Sequence, residues 1–225
     1  MLPIVAIGLS FWLDLVVAGA TPEPPEPPEP LDPLDMARRH APVELEETEF
    51  LQLSARDEAQ DSAVRVRVLV EPRYAELADA FADTVAATLA DADGWPAAGL
   101  SFAVVETDWD ITVVLAQPKT TDALCAPLRT GGTFSCGRKG RAVINARRWL
   151  HGAAGYRGKL DEYRTYVINH EVGHLLGFDH RPCKAKRRPA PVMSQQTKGL
   201  GGCVASARPS AAEIAALASR PARFE

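Results

Sequence analysis

The stretch "VRVRVLVE" sets Val64, Val66, Val68 and Val70 against Arg65 and Arg67, the two-residue period of a half-buried β-strand. The period then lengthens. From Pro72 onward Tyr74, Leu77, Phe81, Val85 and Leu89 recur every three to four residues, which predicts a helix ended by Gly94 and Pro96. Two apolar runs, "SFAVVE" and "DITVVLAQ", predict further strands, and "RAVINARRW" predicts a fourth. "DEYRTYVINHEVGHLLGF" is free of proline and meets its first glycine at Gly173, so it predicts a second helix. "PSAAEIAALASR" predicts another, opened by Ser210 and Glu213 as a capping box and docked through Ile214 and Leu217. This alternation of strands and helices predicts a mixed sheet carrying helices, an α+β or α/β layer fold, of which α+β is the expected class. Residues 181–203 show neither period.

Upstream the pattern breaks. "LPIVAIGLSFWL" is an apolar run, and "AGA" at Ala18 to Ala20 fits a small-residue cleavage site. The run is short for a membrane span, Asp14 interrupts it, and no Lys or Arg precedes it. Residues 1–20 are therefore expected to be a signal peptide or an anchor, the only part to touch a membrane. In "TPEPPEPPEPLDPLD" dense prolines forbid helix and sheet, and carboxylate repulsion extends the chain further. Residues 21–62 are expected to form an acidic linker, with residues 36–62 either more linker or a covering pro-segment. Residues 63–225 are the expected folded domain.

Charge follows the same division. The net −4 divides into 13 acidic against 3 basic residues over 1–62 and 16 against 22 over 63–225. The domain is thus mildly basic, which suits an anionic surface, and it lacks the interleaved arginines and aromatics of a nucleic-acid binder.

"HEVGHLLGFDH" concentrates three of the five histidines in residues 170 to 180. Histidines four apart share a helix face, so His170 and His174 can hold one metal through ring nitrogens. Gly177 permits a sharp turn that brings back His180 as the third ligand. Three neutral imidazoles leave zinc a fourth position open, the arrangement of a catalytic site. Glu171 lies beside them, suited to act as general base on a zinc-activated water. Tyr163 and Tyr166, one and two turns earlier, are expected to pack against the sheet, and Asn145 is a candidate for a cleft edge that takes an extended peptide.

The motif H-E-x-x-H-x-x-G-x-x-H resembles that of the metzincin zinc peptidases. "PVMS" follows, placing Met193 thirteen residues after His180, where the resemblance implies a Met-turn beneath the metal. More closely, "TTDALCAPLRTGGTFSC", "YRTYVINHEVGHLLGFDH" and "APVMSQQTKGLGGC" resemble a family of exported, metzincin-like actinobacterial proteins. That resemblance implies a zincin-like twisted sheet, an active-site helix and a small C-terminal subdomain. It implies Zn2+ as cofactor and names no substrate. The Tyr that some metzincins carry just after the Met-turn is missing, so its role in stabilising the oxyanion does not transfer.

Four cysteines outside any C-x-x-C imply two disulfides in an exported protein, with three possible connectivities. Proximity favours Cys125–Cys136 and Cys183–Cys203; the competing reading makes Cys183 a metal ligand. The expected protein is a monomeric, extracellular or surface-held zinc peptidase acting on peptides or proteins, cell-wall peptides among them. The basic run "RPCKAKRR" is a solvated loop or a contact for an anionic wall polymer. The alternative function is a zinc-stabilised binding module without turnover, which would have no use for Glu171.

Overall fold

The structure, a computed structural model, describes residues 50–56 and 63–219. The expected leader, residues 1–20, and most of the expected linker lie outside the described residues. Among the described residues no helix is long and apolar enough to cross a membrane.

The fold is α+β. Its strands are β1 (Leu51–Gln52), β2 (Val64–Val70), β3 (Phe102–Val104), β4 (Ile111–Ala116), β5 (Cys136–Arg138) and β6 (Arg141–Asn145). They form one mixed sheet in the order β1-β2-β4-β6-β5, with β3 also paired to β2. Strands β2, β4 and β6 are parallel, in a register that sets Val68 against Val113 and Val113 against Ala142. The outermost pairs are antiparallel: β1 sets Leu51 against Val70, and β5 sets Cys136 against Val143. Strand β1 falls inside the expected linker, where Phe50 and Leu53 pack against the core, so the folded body begins before Ala63.

Helices α1 (Ala78–Ala90) and α4 (Leu160–Leu175) cover one face of the sheet. There Phe81, Val85, Leu89, Val167, Ile168 and Val172 meet the even-numbered valines of β2 and the inward residues of β4 and β6. Strand β2 is more buried than its alternation predicts. Leu69, Val114, Ala116 and Val143 point to the second face, which is closed by Leu124 of helix α2 (Pro118–Leu124) and by the Cys125–Cys136 disulfide. Arg67 is buried too, its guanidinium lying 3.6 Å above the Trp109 ring. A cation stacked on an aromatic face keeps its charge while its stem is covered, so period-two polarity did not mean exposure here.

"RAVINARRW" divides in two. The strand ends at Asn145, and helix α3 (Ala146–His151) starts at once because the Asn145 side chain accepts a hydrogen bond from the Arg147 amide. That cap occupies Asn145 in the interior, fully buried, and removes it from any cleft edge. Helix α5 (Ala211–Ala218) opens with the Ser210–Glu213 capping box. Between α4 and α5, residues 181–203 form turns stapled by the Cys183–Cys203 disulfide, with one bridge between Pro189 and Val204. Two disulfides and no free cysteine among the described residues fit an oxidising environment.

Candidate metal centre

Helix α4 carries its chemistry in its last two turns. Asp161 and Glu162 stand in its first turn, where a helix favours negative charge. It stops at Gly177, which takes a left-handed φ of 81°. The Gly177 amide bonds the His174 carbonyl, and the Phe178 amide reaches back to the Gly173 carbonyl, both at 3.0 Å. Those two bonds make a Schellman motif, and a side chain at position 177 would strain it. Phe178 then stacks on Trp95 with centroids 5.1 Å apart. The chain reverses and returns His180 to the helix face.

His170, His174 and His180 converge so that their ligand nitrogens lie within 4.8 Å of one another. His174 Nε2 and His180 Nε2 are 3.1 Å apart. Two tetrahedral ligands on zinc, with bonds near 2.05 Å, stand about 3.3 Å apart. Carbonyl oxygens fix two of the tautomers. His170 Nδ1 donates to the Val192 carbonyl and His174 Nδ1 to the Phe178 carbonyl, each at 2.7 Å. A carbonyl can only accept, so both Nδ1 atoms carry the proton and both Nε2 lone pairs face the site. Burial favours the neutral rings: it lowers the His170 pKa to about 3 and shifts that of half-buried His174 downward, and partial desolvation shifts that of His180, at the exposed rim, the same way. Neighbouring His174 and Lys198 push His180 further the same way. Three neutral imidazoles, and no thiolate because the cysteines are oxidised, form a donor set that suits a divalent metal such as zinc.

Glu171 is buried beside the triad and lines the same cleft. Desolvation pushes its carboxyl up to about 8. A bound cation would oppose that shift by favouring the ionised form. The cleft, about 360 Å3, runs between Leu128–Gly137 on one side and Gln195–Lys198 on the other. At Gly137 strand β5 presses on helix α4: a Cβ there would overlap the Glu171 carbonyl oxygen and stand 2.8 Å from the His174 Cβ. Only glycine allows the edge strand to lie this close to the ligand helix.

Met193 is fully buried beneath the helix. Its sulfur occupies the space where a Cβ at Gly173 would go, and Trp95 Cζ2 would be 2.8 Å from the same Cβ. The glycine inside the histidine motif is thus the seat for Met193. Tyr163 and Tyr166 bury their rings as expected, but their hydroxyls turn to the loop rather than the sheet. Tyr166 donates to the Ser194 carbonyl at 2.8 Å and accepts from the Gln196 amide at 2.9 Å; Tyr163 pairs with Thr197 at 3.1 Å.

One buried residue exceeds its sequence signature. Glu213, the capping-box carboxylate, also accepts from the Val192 amide at 3.1 Å and the Met193 amide at 3.0 Å. The S-x-x-E spacing locates its bonds to Ser210, but nothing local could show partners twenty residues upstream.

Residues 53–208 match the profile of a family described as "Protein of unknown function (DUF3152)". The chain belongs to this family. No curated protein and no solved structure gives a significant match. The match spans strands β2 to β6, the histidine helix and the loop carrying Met193, so all three ligand candidates and Glu171 are inside it, while strand β1 precedes it and helix α5 with Glu213 follows it.

Proposed function

We propose that the protein is a zinc-dependent peptidase of the metzincin kind, with His170, His174 and His180 as ligands and Glu171 as general base. The observation that carries this reading is the juxtaposition of three neutral imidazoles and a buried carboxylate at the floor of one open cleft. A structural metal site closes all four positions with protein ligands and has no need of an adjacent carboxylate. Zinc held by the triad would supply a Lewis acid to polarise the scissile carbonyl and to acidify a water.

The chain's own residues do the rest. Val192 and Phe178 fix the ring orientations of His170 and His174 through their carbonyls. Glu171 takes the proton from the attacking water and returns it to the leaving amine; burial alone favours its protonated form, and a cation held by the triad would favour the ionised form that this task needs. Strand β5 borders the cleft and, among the described strands, pairs only with β6, so an extended peptide can add along its outer edge. Arg129 and Lys198 on the cleft lining favour a substrate that brings carboxylates, as a wall peptide does. The disulfides agree with action outside the cell.

The test is metal analysis of the purified protein, followed by a cleavage screen with peptides and wall fragments. Near-stoichiometric zinc and hydrolysis that drops by 100-fold or more, roughly, in Glu171→Ala would support the reading. Zinc without turnover on any substrate would favour the binding module, and folded protein that takes no zinc would end both.

A further inference from the structure

We infer that Glu213 is a positioning residue of the metal centre, acting on His170 through the peptide bond between Val192 and Met193. This rests on the metal reading above and adds to it a residue from outside the motif. The peptide unit is held at both ends. Its N–H, on Met193, donates to Glu213 Oε1 at 3.0 Å, and its carbonyl, on Val192, accepts from His170 Nδ1 at 2.7 Å. Carboxylate, peptide and imidazole therefore form one line of hydrogen bonds pointing at the candidate metal.

Direct carboxylate–histidine–metal contacts tune many sites by fixing the tautomer and making the ligand nitrogen a better donor. Here a peptide group is inserted between carboxylate and ring. A carboxylate polarises the amide, the amide's carbonyl becomes a stronger acceptor, and the effect passes to Nδ1–H. Glu213 is suited to this because it is fully buried, where its field is poorly screened. Its other oxygen, Oε2, accepts from the Val192 amide at 3.1 Å, the Ser210 amide at 2.8 Å and the Ser210 hydroxyl at 2.7 Å. A capping box alone needs only the Ser210 bonds and is ordinarily solvent-exposed. The burial and the two bonds to the metal-side loop are what the cap does not require.

The experiment measures Zn2+ affinity by competition with a chromophoric chelator, together with the His170 Nδ1–H proton resonance of the metal-free protein. Glu213→Gln keeps the size of the side chain but confronts one backbone amide with an N–H2 group. It is expected to weaken zinc binding about 10-fold and to move the His170 resonance toward a weaker hydrogen bond. Glu213→Asp keeps the charge on a shorter stem that cannot span both amides, and it serves if the glutamine variant does not fold. Leu69→Ala, which thins the core on the opposite face of the sheet, controls for lost stability and should change neither reading in folded protein. An unaltered affinity and resonance in a folded Glu213 variant would overturn the inference, as would equal weakening by Leu69→Ala. A wild-type chain that takes no zinc would remove the metal reading instead, and the resonance would then decide the relay on its own.

Discussion

Gly173 lies inside a regular helix and outside the ligand set, so intrinsic propensity says that Gly173→Ala should stabilise α4 by about 1 kcal/mol. Packing argues the reverse. The new Cβ would overlap the Met193 sulfur and come within 2.8 Å of Trp95 Cζ2 and 3.3 Å of Met193 Cε. Methionine ends are flexible, but this one is fully buried, and the Trp95 ring beside it is fixed by its Nε1 bond to the Asn169 carbonyl at 3.0 Å and by the Phe178 stack. Forcing a methyl into such a core costs about 1–3 kcal/mol. Overpacking therefore wins, and the expected outcome is a net loss of about 1 kcal/mol.

The sharper form is a double-mutant cycle in metal-free protein with chelator present, read by chemical denaturation. Met193→Ala alone removes a buried side chain and should cost about 2–5 kcal/mol. With the sulfur gone, the methyl introduced by Gly173→Ala enters vacated space, so the double variant should be more stable than the sum of its parts by about 1 kcal/mol or more. A Gly173→Ala variant more stable than the parent would refute the argument, and so would strict additivity. The same substitution should weaken zinc binding, because a displaced Met193 carries the Val192 carbonyl away from His170.

Gly137→Ala should cost about 1–3 kcal/mol in denaturation, since the added Cβ meets the Glu171 backbone and the edge strand must retreat from the helix; a neutral result would mean that β5 does not press on α4. Removing Cys183–Cys203 should weaken zinc binding more than removing Cys125–Cys136. The closed loops differ little in chain entropy, at roughly 3 kcal/mol each, but only the former ties the segment bearing His180 and Met193; equal zinc affinities in the two double Cys→Ser variants would refute it.

Much of this architecture was legible from period and spacing. The alternating valines gave β2, the four-residue histidine step gave a shared face, and Gly177 gave the turn that returns His180. What remained hidden shares a physical cause. Strand β1 has two residues, helix α2 has seven and α3 has six, too short for a period to declare itself. Arg67 and Glu213 are charged and yet buried, because a Trp109 face and a set of backbone amides replace their water. Those partners lie far along the chain, beyond any local pattern. Asn145, placed by its strand-like surroundings at a cleft edge, is instead the cap of α3, through a bond to the Arg147 amide that the local pattern does not announce.

The loop from His180 to Ser210 raises the question of how an irregular segment can hold a candidate metal ligand in place. Apolar packing supplies little of the answer, since Met193 and Val192 are its largest fully buried apolar side chains. Polar ties supply more. The Arg181 amide bonds the Met193 carbonyl at 2.9 Å, and the Ser194 hydroxyl bonds the Arg181 carbonyl at 2.7 Å, so the residue after His180 is fastened to the turn beneath the histidine triad. Gln196, buried, accepts from the Tyr156 hydroxyl and the Ser206 amide and donates to the Pro191 and Ser206 carbonyls. Tyr166 and Glu213 clamp the same turn from α4 and α5. A buried polar network of this kind is costly when any member is lost, because each orphaned partner keeps its desolvation penalty. It also has few alternative arrangements, whereas an apolar loop could repack in several. Under the proposed function, a site that aligns three imidazoles and a carboxylate benefits from that uniqueness more than from raw stability, and that accounts for tyrosines, a glutamine and a buried glutamate where a core would ordinarily place leucines.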